Sequence, residues 1–139
     1  MKKTIICLSA RKDRGKSNSI KRLYTMLGGA KTFGDKEDIL EAITYKGHKI
    51  GIKSYGDPGI DHKKALSKLI VEFNADIIIT ASRSYGDTYW TVKGVAEIYG
   101  FETIMMFPMS TEEEYAVYPV DKLYTKNAEA ILEIINNII

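Results

Sequence analysis

Residues 4–17, with the sequence TIICLSARKDRGKS, decide how this chain is expected to fold. The first six of them carry no charge, which predicts a strand that is buried on both faces of a sheet. The next eight contain five charged residues and one glycine, as in a solvent-facing loop. Apolar residues then recur at the helical spacing of Ile20, Leu23, Tyr24 and Leu27. They predict an amphipathic helix that ends at Gly28 and Gly29.

The rest of the chain continues this alternation of apolar runs and amphipathic segments. Further strands are predicted at residues 42–45, 49–55, 77–81 and 103–107, and further helices at 66–73, at 92–99 and from Asp121 onward. A tight turn at residues 46–48 joins the first two of these strands into an antiparallel hairpin. We therefore expect a single three-layer α/β domain over residues 1–139, in which helices cover both faces of a five-stranded, mostly parallel sheet.

Composition and charge narrow the classes of function. The chain has 139 residues, of which 45% are apolar and 27% charged, as in ordinary globular proteins. Its net charge of +2 gives no clear indication of a nucleic-acid-binding surface. No apolar run approaches the ~18 residues that a membrane span needs. Cys7 is the only cysteine, which fits a reducing compartment, so we expect a cytoplasmic protein that does not enter a membrane.

The charged loop and the start of the helix form a motif with chemical meaning. Residues 10–17 follow the pattern A-x-x-x-x-G-K-S. A loop of this length can wrap a phosphate group with its backbone N–H groups, while the helix directs the positive end of its dipole at the anion. Gly15 allows a close approach of the backbone, Lys16 reaches the β- and γ-phosphates, and the hydroxyl of Ser17 is a magnesium ligand. An ordinary charged turn is the alternative interpretation.

The motif and its setting resemble the phosphate loop of the P-loop NTPase superfamily, and the order strand, loop, helix and hairpin is similar to the first half of the small GTPases. The resemblance implies a P-loop NTPase-like fold that binds Mg²⁺ with ATP or another nucleoside triphosphate. The residues that it assigns to binding this cofactor are Asp13, Arg14, Gly15, Lys16, Ser17 and Asn18. The sequence departs from the family in carrying Ala10 at the usual first glycine. It also lacks a guanine-reading Asn-Lys-x-Asp motif after the fifth strand, so ATP is the default nucleotide.

Two more residues are candidates for holding magnesium beside Ser17. Asp57 follows a predicted strand, within the sequence YGDPG at residues 55–59. A carboxylate at the carboxyl end of a strand next to the phosphate loop suits this metal, although the same five residues also suit a simple turn. The resemblance to small GTPases implies a further ligand at Thr32, which precedes the hairpin as the threonine that closes over magnesium does in that family.

The segment after the predicted strand at 77–81 supplies the remaining candidates. Arg83 lies at the expected ligand edge of the sheet, where an arginine stabilises the negative charge that develops during phosphoryl transfer. A surface arginine is the alternative. Asp87 or Thr88 is expected to cap the following helix. The residues Tyr85, Tyr89 and Trp90 are suited to stacking on a base, although packing of the helix explains them at least as well.

These residues support two hypotheses about function. In the first, the protein is an NTPase or a small phosphotransferase in which Lys16 and Arg83 are the catalytic residues. In the second, it is a non-catalytic module that binds a nucleotide or another anion and acts through a protein partner or a second copy of the chain. The alternative to both is an interaction domain in which the motif arose by chance.

Overall fold

The computed structural model describes residues 1–11, 15–56, 61–84, 86–111 and 117–139. These residues form five strands and four helices. The strands are β1 (Thr4–Ser9), β2 (Leu40–Tyr45), β3 (His48–Lys53), β4 (Ile77–Ser82) and β5 (Glu102–Met106). The helices are α1 (Lys16–Met26), α2 (His62–Val71), α3 (Asp87–Tyr99) and α4 (Val120–Ile138). Every predicted strand and helix is present, with bounds that shift by a few residues.

The five strands form one mixed sheet in the order β2-β3-β4-β1-β5. β1 pairs in parallel with β4 and β5, and β3 pairs in parallel with β4. β2 runs antiparallel to β3 because the two-residue turn Lys46-Gly47 joins them. Both turn residues have positive φ, 49° and 80°, as a type I′ turn requires. The predicted five-stranded α/β sheet with a hairpin is confirmed, and the hairpin is what makes the sheet mixed rather than entirely parallel.

Helices cover both faces of the sheet, which gives the predicted three layers. Because successive side chains of a strand point to opposite faces, Ile6 and Leu8 pack in a core with α1 and α4, whereas Ile5 and Cys7 pack in a second core with α2 and α3. All six residues of β1 and of β4 are buried, and neither strand carries a charge. These two strands therefore occupy the centre of the sheet. Within the described residues, no helix has the length and apolar character to cross a membrane.

The position of β4 corrects one expectation about the site. The sequence places Asp57 after a strand that was expected to lie next to the phosphate loop. In the structure β4 separates that strand, β3, from β1. The expectation of adjacency is wrong because the uncharged β4 takes the fully buried position, whereas β3 leaves Lys49 exposed near its start.

Candidate functional site

The carboxyl ends of β1, β3 and β4 meet at one edge of the sheet, because these three strands are parallel. Helix α1 also begins at this edge, since it follows β1. Three of the predicted site residues, Asp13, Arg14 and Asp57, lie outside the described residues. The structure places the remaining ones around this edge and along α1.

Gly15 is the N-cap residue of α1 and adopts a left-handed conformation, with φ 76° and ψ 18°. Its carbonyl accepts the first bond of the helix from the backbone N–H of Ser19, at 3.0 Å. A β carbon at this position would meet the ring of Tyr124 from α4, whose Cδ1 atom would lie only 2.8 Å away. Backbone conformation and side-chain crowding therefore both require glycine here.

Lys16 is buried, with 8% of its surface exposed, and its ammonium group lies at the carboxyl edge. The Nζ atom donates to the carbonyl of Ala10 at 2.8 Å and to that of Ser82 at 2.9 Å. Ala10 begins the loop and Ser82 ends β4, so this side chain joins the loop to the central strand beside β1. The predicted anion-binding lysine thus holds a positive charge at the end of the sheet, directly at the start of α1.

Ser17 and Asn18 are half-buried in the first turn of α1. Successive residues of a helix are about 100° apart, so Asn18 points about 200° away from the inward-facing Lys16. Asn18 lines a cavity of about 330 Å³ on the outer side of α1, together with Thr32 and Tyr124. The structure therefore brings Asn18 and Thr32 to one cavity, on the side of the helix opposite to Lys16.

The backbone of Arg83 is fixed at the carboxyl edge by three hydrogen bonds. Its N–H donates to Oγ1 of Thr88 at 2.9 Å, and its carbonyl accepts from the hydroxyls of Ser9 at 3.2 Å and Ser82 at 2.9 Å. Arg83 therefore lies beside the end of β1, where the loop begins. The prediction that Asp87 or Thr88 caps α3 is wrong, because the N-cap residue is Gly86. The hydroxyl of Thr88 accepts from the N–H of Arg83 instead.

Gly56 brings the chain after β3 across the end of β4. A β carbon on Gly56 would lie 2.7 Å from the backbone nitrogen of Ser82, closer than the 3.4–4 Å of ordinary van der Waals contact. The backbone of Gly56 therefore packs against the peptide bond between Ala81 and Ser82. The carbonyl of Ser82 is the one that accepts from the ammonium of Lys16. Although β3 does not neighbour β1, the chain after β3 therefore crosses the end of β4 at Gly56, next to the residue whose carbonyl accepts from Lys16.

Lys53 is a charged residue of this edge that sequence reasoning missed. Its side chain is fully buried at the end of β3. The ammonium donates to the carbonyl of Tyr55, lies 3.5 Å from Oγ1 of Thr80 and stands 4.3 Å from the centre of the Tyr55 ring. That ring in turn contacts His62 at the start of α2, with 5.8 Å between ring centres. The only signal in the sequence is that Lys53 lies within a predicted strand.

Asn127 of α4 is a second residue that the sequence did not reveal. It is buried, and its Nδ2 atom donates to the hydroxyl of Ser19 in α1 at 3.1 Å. The same amide accepts from the N–H of Met109 at 2.8 Å and donates to the carbonyl of Met109 at 3.0 Å. One side chain thus ties the first turn of α1 to the segment that follows β5.

Cys7 lies beneath the same edge as a buried, unpaired thiol, as the sequence predicted. Burial raises the pKa of this thiol to about 11, although a hydrogen bond with Ser82 and the charges of Lys53, Lys16 and Lys93 act in the opposite direction. Its Sγ atom lies 3.3 Å from Oγ of Ser82. The thiol is therefore neutral at physiological pH and does not provide a nucleophile.

Within the described part of the chain, no group of three or more His, Cys, Asp or Glu side chains is arranged to hold a metal ion. A metal at this edge would therefore depend on the hydroxyl of Ser17, on residues such as Asp57 and on oxygens of a bound ligand. Comparison of the chain with protein-family models, with curated proteins and with solved structures gave no match.

Proposed function

We propose that this protein binds a nucleoside triphosphate, with ATP as the default, together with Mg²⁺, and that it hydrolyses or transfers the γ-phosphate. The observation that carries the proposal is the buried ammonium of Lys16. It lies at the carboxyl edge of the sheet, at the start of a helix preceded by a left-handed glycine. A buried positive charge at the N-terminus of a helix is suited to a multiply charged anion.

Binding of the phosphates requires Lys16 to exchange its acceptors. Among the described residues, its ammonium donates to two neutral carbonyls, those of Ala10 and Ser82. Phosphate oxygens carry negative charge, and charge-assisted hydrogen bonds are about twice as strong as neutral ones. We therefore expect the β- and γ-phosphates to draw the ammonium away from at least one of these carbonyls.

The donor set at this edge fits magnesium, which prefers oxygen ligands and accepts one or two protein groups alongside phosphate oxygens. The hydroxyl of Ser17 and the carboxylate of Asp57 are the proposed ligands, and the route of the chain past Gly56 supports the second of them. The metal would neutralise charge on the phosphates. Arg83, held beside the end of β1, is proposed to stabilise the negative charge that develops on the transferred group. The role of Thr32 as a further ligand stays a prediction.

The proposal is tested by thermal unfolding with and without Mg-ATP, each variant being compared with its own ligand-free midpoint. At 100-fold excess over Kd, ligand is expected to raise the Tm of the wild type by about 5–10 °C. Lys16→Ala should abolish this shift. Lys49→Ala, which removes an exposed lysine near the opposite edge of the sheet, is the matched control and should retain it. The absence of any shift in the wild type, with GTP as well as with ATP, contradicts the proposal.

Turnover is tested separately by release of inorganic phosphate. If nucleotide binds but the wild type releases phosphate no faster than Lys16→Ala, the enzyme hypothesis fails and the non-catalytic nucleotide-binding module remains. The cytoplasm is proposed as the compartment, because the single thiol, Cys7, is buried and unpaired.

A further inference from the structure

Strand β5 forms an open edge of the sheet. Among the described residues it pairs only with β1, on the side where the N–H of Glu102 donates to the carbonyl of Lys3 at 2.9 Å. Because successive residues of a strand direct their backbone groups to alternate sides, Thr103 and Met105 direct their N–H and C=O groups to the open side. Backbone groups in such a row are a template for another strand.

The sequence does not protect this edge as natural edge strands are usually protected, with charged side chains or proline. Residues 103–106 contain neither. Phe107 and Met109, which follow the strand, are 75% and 48% exposed. The opposite edge strand, β2, differs in carrying Glu41, which pairs with Lys31. The open side of β5 is therefore suited to a strand that is itself uncharged.

We propose that β5 pairs in antiparallel orientation with β5 of a second copy of this chain, so that two five-stranded sheets become one sheet of ten strands. Full overlap of the two strands places Ile104 opposite Ile104 on a twofold axis. Thr103 of each copy then lies opposite Met105 of the other copy. These are the residues whose backbone groups face the open side, so each of the two pairs exchanges two hydrogen bonds.

The charge on the strand does not oppose this pairing. Glu102 is the only charged residue of β5. The twofold axis places the two Glu102 residues at opposite ends of the paired strands, about 14 Å apart at 3.4 Å per residue. Charges on a protein surface are largely screened beyond about 8 Å at physiological ionic strength. An acidic or a basic peptide would find no complementary charge on residues 103–106, whereas the chain's own β5 matches them.

The side of α3 that faces β5 carries groups suited to the same contact. Lys93 donates to Oγ1 of Thr103 at 3.1 Å, which identifies this side of the helix. Tyr89 and Trp90 precede Lys93 by four and three residues, so they lie on the same side. The ammonium of Lys93 stands 6.0 Å from the centre of the Tyr89 ring, and Trp90 is 68% exposed. Exposed aromatic residues beside an open strand supply the apolar surface of an interface.

The register of the strands brings complementary groups of the two α3 helices to the same level. Helix α3 runs antiparallel to β5, because it connects β4 to β5 and both strands are parallel to β1. Tyr89 is about 6 Å from Lys93 along the helix, and Met105 is about 7 Å from Thr103 along the strand. Tyr89 is therefore level with Met105, as Lys93 is with Thr103. Lys93 of each copy is then level with Tyr89 of the other, which suits a cation–π pair.

Sedimentation velocity of the full chain tests the association. At about 100 μM we expect the wild type to sediment with twice the mass of one chain. Trp90→Glu places a carboxylate between the two α3 helices and should weaken association at least about tenfold. Val71→Glu puts the same charge at an exposed apolar residue of α2, which packs on β3, so this control should remain a dimer. A monomeric wild type at this concentration would overturn the proposal.

Disulfide trapping tests the register. Ile104→Cys places two thiols opposite each other on the twofold axis, in a pair with Cα atoms about 4.5 Å apart, so mild oxidation should give a covalent dimer. Met106→Cys is the matched control, since both residues are half-buried on the same face of β5. The register separates the two Met106 positions by about 14 Å, so Met106→Cys should not cross-link. Cys7 is buried in both variants.

Each remaining outcome also decides the proposal. A wild-type dimer that is unaffected by Trp90→Glu, or that cross-links through Met106→Cys and not through Ile104→Cys, would overturn the pairing of β5. Thermal unfolding of each variant shows that it is folded when it is tested. All of these measurements are made without nucleotide, so their result is independent of the proposed binding of Mg-ATP.

Discussion

Gly15 is fixed by two constraints that act on the same residue. Its φ of 76° disfavours any side chain, and the ring of Tyr124 fills the space that a β carbon would need. The sequence motif predicts a glycine before the lysine, for close approach of the backbone, but not its left-handed φ. It does not predict the second, since nothing in the spacing of residues 15 and 124 brings them together.

Gly15→Ala is expected to lower the free energy of unfolding by at least about 1–2 kcal/mol, the cost of a left-handed conformation with a side chain. Displacement of the Tyr124 ring adds to this cost. Gly94→Ala is the matched control: Gly94 lies within α3 and has open space around it, so alanine should raise stability by up to about 1 kcal/mol. Urea denaturation measures both changes. A Gly15→Ala protein as stable as the wild type would show that the left-handed cap is not required.

Cys7 gives a dependence of stability on pH. The folded thiol has a pKa of about 11 against an ordinary value of 9.0, so the unfolded chain loses this proton first as the pH rises. The neutral thiol therefore stabilises the fold fully below about pH 9, and this contribution is lost progressively toward pH 11. Between pH 8 and pH 11 the wild type should lose about 2–3 kcal/mol of stability relative to Cys7→Ala. Denaturation at a series of pH values tests this, and a constant difference between the two proteins would refute it.

Contacts between elements depend on polar residues that periodicity does not reveal. Asn127 lies on the buried face of α4, where the pattern of Ile131 and Ile135 predicts only an apolar stripe. The sequence therefore locates the helix and its buried face. It does not show that α4 bonds to Ser19 of α1, because the partner lies 108 residues away in the chain.

Asn127→Ala is expected to destabilise the protein by about 2–3 kcal/mol, because it leaves the buried hydroxyl of Ser19 and the backbone of Met109 without their partner. Asn137→Ala serves as the control. Asn137 is exposed, and among the described residues its side chain bonds only to Glu133 of its own helix, so its loss should change stability by less than about 0.5 kcal/mol. Chemical denaturation of the two variants provides the comparison, and similar values for both would contradict a role for Asn127 in joining the helices.

The whole molecule is organised around β1 and β4, which are buried along their full length. Their backbone amides should open to solvent only on global unfolding, whereas those of the edge strand β2, which pairs only with β3, should open locally. Hydrogen–deuterium exchange is therefore expected to be slowest in β1 and β4 and clearly faster in β2. Equal protection of β2 and β4 would show that the sheet unfolds as one unit.

The strand order marks the limit of prediction at this scale. The alternation of apolar and amphipathic segments was sufficient to predict the α/β fold class, the number of strands and the hairpin. They did not place β4 between β3 and β1, because strand order depends on which uncharged strand takes the most buried position. The burial of Lys53 was also missed, because the local sequence does not show which other elements cover the end of a strand.

The bonds of Lys16 have a mechanical consequence. The ammonium of Lys16 links the end of β4 at Ser82 to Ala10, the first residue of the loop. A ligand that draws this ammonium toward itself weakens the link at one or both carbonyls, so binding and loosening of this contact occur together. Isotope-edited infrared spectroscopy of the Ser82 carbonyl would register that event as a rise in its stretching frequency.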